Sequence, residues 1–146
     1  YVHDPGAAML GGVSGHAGLF GCANDLAKIM QMYLNGGWYG EDRFIDPATL
    51  ATYTSCFNCE EGNRRGLGFD RPVTDEPDAG PACDDASAQS FGHSGFTGTL
   101  VWVDPEYDLV YVFLSNRIHP NQGNTLLIDD NVRTEVQQVI YDAIID

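Results

Sequence analysis

Positive charge is the scarcest property of this chain. Seven Lys and Arg residues stand against 21 Asp and Glu, the formal net charge is −14, and no cluster of Lys or Arg occurs. Such a surface repels polyanions, so nucleic acid is not expected as a partner. Long apolar runs are missing as well. None approaches the ~20 residues that cross a bilayer, so no membrane span is expected. The first residues carry neither a charged n-region nor an apolar h-region. The chain opens at Tyr1 rather than methionine, which fits a processed or excised segment whose signal peptide lies upstream.

Two nucleophile motifs are also lacking. Ser94 follows Gly92 at the spacing of a Gly-x-Ser-x-Gly elbow, but Phe96 stands where the second glycine is required. A Ser-x-x-Lys would place an amine one helical turn after a serine to take its proton. The single lysine, Lys28, has Asp25 at that spacing instead. These residues therefore do not supply that nucleophile. Cysteine is sparse too: Cys22, Cys56, Cys59 and Cys83 form one Cys-x-x-Cys with two distant partners, a poor match to zinc-site spacings. A mixture of buried thiols and one disulfide is the plainer reading, the disulfide being permitted in an exported protein.

What is present is globular. Hydrophobic residues make up 43% of 146, with 17 glycines and seven prolines, enough for one domain with a core. Tyr1 to Phe20 is rich in small residues without a helical or strand period and reads as an extended, packed loop. Leu26, Ile29, Met30, Tyr33 and Leu34 share one helical face, with Asn24 capping the start and Gly36 and Gly37 ending it. Tyr33, Leu34 and Asn35 spell a Tyr-x-Asn, but Tyr33 lies on that apolar face and is assigned to the core. Asp46 and Pro47 open a shorter helix to about Thr54.

Residues 58 to 90 read as surface loop, with Gly66 to Phe69 as a short strand. Phe96 to Val103 and Leu109 to Leu114 predict an antiparallel hairpin joined through Asp104 to Asp108. Val132, Val136, Val139, Ile140, Ala143 and Ile144 predict a C-terminal helix with an aliphatic stripe toward a sheet. The expected fold is therefore α+β: an antiparallel sheet with the C-terminal helix packed on it, plus two further helices.

The most informative segment runs Phe91, Gly92, His93, Ser94, Gly95, Phe96, Thr97, Gly98, Thr99. His93-Ser94-Gly95 resembles the His-Ser/Thr-Gly variant of the Lys-Thr-Gly that serine β-lactamases and penicillin-binding proteins place on a strand beside the nucleophile. His3-Asp4, the run Gly11 to Phe20 leading into Asp25-Leu26, and Ser115 to Pro120 are similar to stretches of the same proteins, above all class C-related muropeptide amidases and esterases. The resemblance covers nearly the whole chain except residues 56 to 90. It implies a single C-terminal piece, residues 1 to 146, of a partial β-lactamase/transpeptidase-like fold, whose Ser-x-x-Lys and Tyr motifs lie upstream in the same polypeptide.

The resemblance also implies roles. The parent would hydrolyse a cell-wall peptide or muropeptide amide, an ester or a β-lactam through an acyl-enzyme. His93, Ser94 and Gly95 would form the active-site strand, and the Phe96 N–H would complete an oxyanion hole, a donor whose loss costs about 3 kcal/mol. Thr97 and Gly98 would contact substrate beside it. An edge strand there lets an extended substrate add as another strand. His16, in a glycine-rich bend, is weighed both as a cleft residue and as a buried, hydrogen-bonded histidine. His3 and Asp4 point apart in an extended segment and are read as structural, and Asn116, Arg117 and His119 as turn residues.

Imidazole ordinarily titrates near 6.5, so His93 would be mostly neutral where lysine carries a fixed charge. That suits an ester, or a peptide without a carboxylate at that place. No metal or cofactor is implied, periplasmic or secreted action is expected, and an excised piece should expose apolar faces and self-associate. Two rival classes remain: a binding domain that keeps the groove without chemistry, and a metal-binding protein using His3, Asp4, His16 and the cysteines.

Overall fold

Alternation of large apolar side chains along two short runs builds the centre of the molecule. A computed structural model describes residues 2–58, 63–73 and 80–145; Tyr1 and Cys59 lie outside the described residues. A three-stranded antiparallel sheet has the order β3 (Phe91–Ser94), β4 (Leu100–Asp104), β5 (Leu109–Phe113). In β4, Leu100 and Trp102 face one side with Tyr111 of β5, while Val101 and Val103 face the other with Val110. Both faces are covered, as the apolar character of both sets requires.

One face meets the helix α2 (Ala23–Leu34) through Met30, Tyr33 and Leu34, packed with Phe69, Phe91 and Val103. Tyr33 is core, edge-on to Phe69 at 5.4 Å. The other face meets the C-terminal helix α5 (Val132–Ile145) through Tyr141 and Ile140, joined by Ala82, Cys83 and Ala86. Beside these lie α1 (Pro5–Met9), a two-residue hairpin β1 (Trp38–Tyr39) and β2 (Asp42–Arg43), α3 (Pro47–Thr54) and α4 (Leu126–Asp129).

Several expectations are corrected. The opening segment is not all loop: Asp4 accepts the Ala7 N–H at 2.7 Å and Pro5 takes the first helical position, which starts α1. Cys22, not Asn24, occupies the cap position of α2, without a capping hydrogen bond from its side chain. Gly66 to Phe69 forms no strand; pairing is one isolated bridge between Asp70 and Gly92. The run Phe96 to Val103 divides, because Gly98 at φ 99° turns the chain before β4 begins at Leu100.

The α5 stripe is also different from the aliphatic one expected. Gln137 and Tyr141 are fully buried, whereas Val136 and Val139 are exposed. Polar groups can take the buried face because they find acceptors or donors there: Gln137 Oε1 accepts the Cys83 N–H at 3.1 Å, although its Nε2 has no partner among the described residues, and Tyr141 donates to Asp104 at 2.6 Å. α3 begins at Asp46 and Pro47 and ends at Thr54 as the caps predict. Cys56 is disulfide-bonded, and Cys22 and Cys83 are free.

Candidate active site

The outer edge of β3 is where the sequence and the geometry converge. β3 pairs with β4 on one side, Phe91 with Val103 through Ser94 with Leu100. On the other side Asp70 pairs only with Gly92, its N–H donating at 2.7 Å and its carbonyl accepting at 3.1 Å. The edge is thus partly covered, not fully open as expected, and among the described residues no backbone partner follows on it beyond Gly92. Alternation puts the Ser94 amide on that same outer edge. Gly92 itself belongs to packing: a Cβ there would stand 2.1 Å from Val101 O and 2.3 Å from the Trp102 ring.

After Ser94 the chain turns tightly. Gly98 N–H donates to Gly95 O at 2.9 Å and Gly95 N–H to Thr99 O at 2.8 Å. Phe96 and Thr97 occupy the tip. Among the described residues no acceptor meets the Phe96 N–H. Phe96 is 65% exposed, and its ring meets the His3 imidazole, stacked at 6.1 Å, and the Arg117 guanidinium at 4.6 Å. His93, Ser94, Gly95, Phe96, Thr97 and Gly98 are therefore one continuous edge-and-turn element.

His93 has two contacts that together assign its proton. Nδ1 lies 2.7 Å from Ser94 O, and a carbonyl only accepts, so Nδ1 carries hydrogen. Nε2 lies 3.0 Å from Arg65 Nη1, and a guanidinium only donates, so Nε2 is bare. The ring is the neutral Nδ1–H tautomer. Arg65 in turn stands with Nε 3.2 Å from Asp70 Oδ1, and Arg64 Nη2 is 3.7 Å from the same atom. Asp70 is 1% exposed, and neither contact has hydrogen-bonding angles at Oδ1. Among the described residues two guanidinium groups face this one carboxylate beside His93.

Arg65 is the residue that sequence reasoning missed. Arg64-Arg65 is the only adjacent basic pair among seven bases, a usable signal inside a loop otherwise read as acidic surface.

His16 is neither buried nor against the turn. Its Nε2 meets Asp4 Oδ1 at 2.9 Å and its Nδ1 meets Ser14 Oγ at 2.8 Å, with the ring exposed. The Ala7 N–H, and after it His16, hold the Asp4 carboxyl below its ordinary range. His3 and Asp4 do part company as expected, but His3 goes to Phe96, so it belongs to the site's rim. It lines a cleft of about 550 Å³ with Asn116, His119, Asn121 and Gln122. Among the described residues no three His, Cys, Asp or Glu side chains converge as ligands for a metal.

The family model described as Beta-lactamase matches residues 1–132. The chain belongs to the beta-lactamase family. Two curated relatives, from Salmonella paratyphi B and Salmonella newport, are each 41% identical over 126 residues, 84% of this chain, and are named "Putative D-alanyl-D-alanine carboxypeptidase". The match is 28% of each relative, so this beta-lactamase-family chain spans under a third of their length. A solved structure described as a "putative beta-lactamase from Bacteroides dorei" is 19% identical, with a TM-score of 0.47, and covers 90% of this chain and 49% of its own. His93 and Ser94 end β3 of the antiparallel sheet, and Gly95 opens the turn that follows.

Proposed function

We propose that this chain forms the strand and oxyanion wall of a serine acyl hydrolase whose substrate is a cell-wall peptide ending in a carboxylate. A serine outside these 146 residues attacks the acyl carbon, and its proton passes through a Lys/Tyr pair to the leaving group. Water then cleaves the acyl-enzyme. The Phe96 N–H stabilises the oxygen that becomes anionic in each step. No cofactor takes part.

The observation that carries the substrate class is the Arg65 guanidinium at the neutral His93 ring. The sequence alone suggested that replacing lysine by histidine removes a fixed cation and with it a preference for carboxylates. Arg65 restores the charge from another segment, and its donors suit a carboxylate. A relative named as a carboxypeptidase fits this reading, since such an enzyme cleaves next to a free carboxylate. Amides and esters of one such acyl group, and β-lactams, share the same acyl chemistry. The disulfide at Cys56 supports periplasmic or secreted action.

The test compares two esters in the full-length protein, an acyl-D-alanyl depsipeptide with a free terminal carboxylate and its methyl ester. The acid should be preferred, and Arg65→Gln should lower kcat/KM for it by about tenfold, the lower end for a hydrogen bond to a charged group because Arg65 is exposed. The methyl ester should change by less than about twofold. Equal losses on both esters, or no preference in the parent, refute the carboxylate reading. Failure to trap any acyl adduct by mass spectrometry refutes the hydrolase.

A further inference from the structure

The turn that carries the Phe96 N–H is held from outside at several points, and its two central carbonyls by one residue. Four carbonyls run along it, from Gly95 to Gly98. Gly95 O is satisfied within the turn, and Gly98 O accepts from Ser115 Oγ at 2.9 Å. The two central carbonyls both go to Arg117: its Nε–H donates to Phe96 O at 2.8 Å and its backbone N–H to Thr97 O at 3.0 Å. The guanidinium covers the Phe96 ring, and Nη1 donates to Gln122 O at 3.2 Å and Asn124 O at 3.0 Å. Among the described residues Arg117 makes no ion pair. Its hydrogen bonds are spent on backbone.

The direction of the Phe96 N–H is set by ψ of Gly95 and φ of Phe96. Gly95 has no Cβ, and on its side the peptide is held through its carbonyl, which accepts the Gly98 N–H at 2.9 Å. Phe96 has an exposed ring and no core to fix it. Arg117 adds restraints on the other side of Phe96, on its carbonyl and, beside the His3 stack, on its ring.

We propose that Arg117 is a positioning residue for the oxyanion donor. The inference rests on the acyl-hydrolase reading of the Phe96 N–H. Removing the guanidinium lets Phe96 O, Gln122 O and Asn124 O, all in exposed hydrogen bonds, pair with water while the backbone bond to Thr97 O stays, so stability changes little while the donor loses its aim. An oxyanion donor acts in the transition state, so the loss falls on kcat and not on KM.

The experiment uses the full-length protein and its Arg117→Ala, Arg117→Lys and Arg117→Gln variants on matched oxygen and thiono esters. A thiocarbonyl sulfur accepts hydrogen bonds poorly, so a well-aimed donor makes the oxygen ester far the faster. Expected in each variant are a kcat reduced about 10- to 100-fold, below the 10²- to 10³-fold for deleting a donor outright, and a KM within about threefold. The oxygen-to-sulfur rate ratio should fall by about tenfold, and Lys should not rescue, because it lacks the planar fork that meets carbonyl and ring together. Unchanged kcat, or a loss with the ratio unchanged, overturns the inference alone and leaves the hydrolase standing. A parent protein without turnover or acyl adduct overturns both.

Discussion

Changing Tyr141 to Phe tests whether a buried polar knot ties the sheet to the C-terminal helix. Asp104, the last residue of β4, is fully buried. Its carboxylate accepts Ser87 N–H at 2.8 Å, Ser87 Oγ–H at 2.6 Å, Glu106 N–H at 3.0 Å and Tyr141 O–H at 2.6 Å. The substitution deletes one hydroxyl and keeps the ring, so the edge-on contact with Tyr107 at 5.3 Å survives. What is lost is one charge-assisted bond to a dry carboxylate that retains three donors, a cost of about 1.5–3 kcal/mol. For a chain near this length each kcal/mol moves Tm by about 2–4 °C, so a cost near ~2 kcal/mol predicts a drop of about 4–8 °C. Urea melts followed by near-ultraviolet circular dichroism should show a lower midpoint at unchanged slope. Ser87→Ala weakens the same carboxylate, so the double variant should depart from additivity by more than about 0.5 kcal/mol. A Tyr141→Phe variant within about 0.5 kcal/mol of the parent would refute the knot as a structural tie, since a buried charge that loses a donor cannot be indifferent to it.

Alkaline stability follows from two buried acids. Burial pushes the Cys83 thiol from 9.0 up to about 11 and the Tyr111 hydroxyl from 10.0 up to about 12. Both pKa values are raised in the folded state, so their contribution is complete below the unfolded values. It is lost as pH rises through about 9 to 11 and 10 to 12, where the unfolded chain releases protons that the folded one keeps. Urea midpoints should be flat from pH 7 to 8.5 and decline above 9, and Cys83→Ala should delay the onset; a flat profile to pH 11 would contradict the assignment. Separately, Leu19, Met9, Phe20 and Val139 are 90%, 89%, 76% and 67% exposed, an apolar surface we expect the upstream polypeptide to cover. The chain alone should self-associate in light scattering at micromolar concentration, and a clean monomer would count against that cover.

How much of this was legible in the sequence depended on whether the signal was local. Asp46-Pro47 marked α3 through its cap, and the same physics starts α1 at Asp4-Pro5, where surrounding glycines and alanines hid it. The alternation in Leu100–Asp104 and Leu109–Phe113 showed the hairpin, but period alone could not say that Phe96 to Thr99 is a turn, because that depends on Gly98 adopting a positive φ. In α5 counting aliphatics chose the wrong face. Gln137 and Tyr141 go inward because their partners, Cys83 and Asp104, come from 54 and 37 positions away.

The same distinction decides the site. His93, Ser94, Gly95 and the Phe96 amide are contiguous and were readable as a motif, whereas the guanidinium groups that touch them arrive from elsewhere: Arg65 from 28 positions before His93, and Arg117 from 21 after Phe96. Exchanging lysine for histidine in a triplet therefore does not determine the charge of the site. On the reading proposed above, the guanidinium at the bare nitrogen of His93 takes the cation's place from another segment of chain, so changing Arg65 would alter substrate preference without disturbing β3 or the Arg117 contacts to the turn.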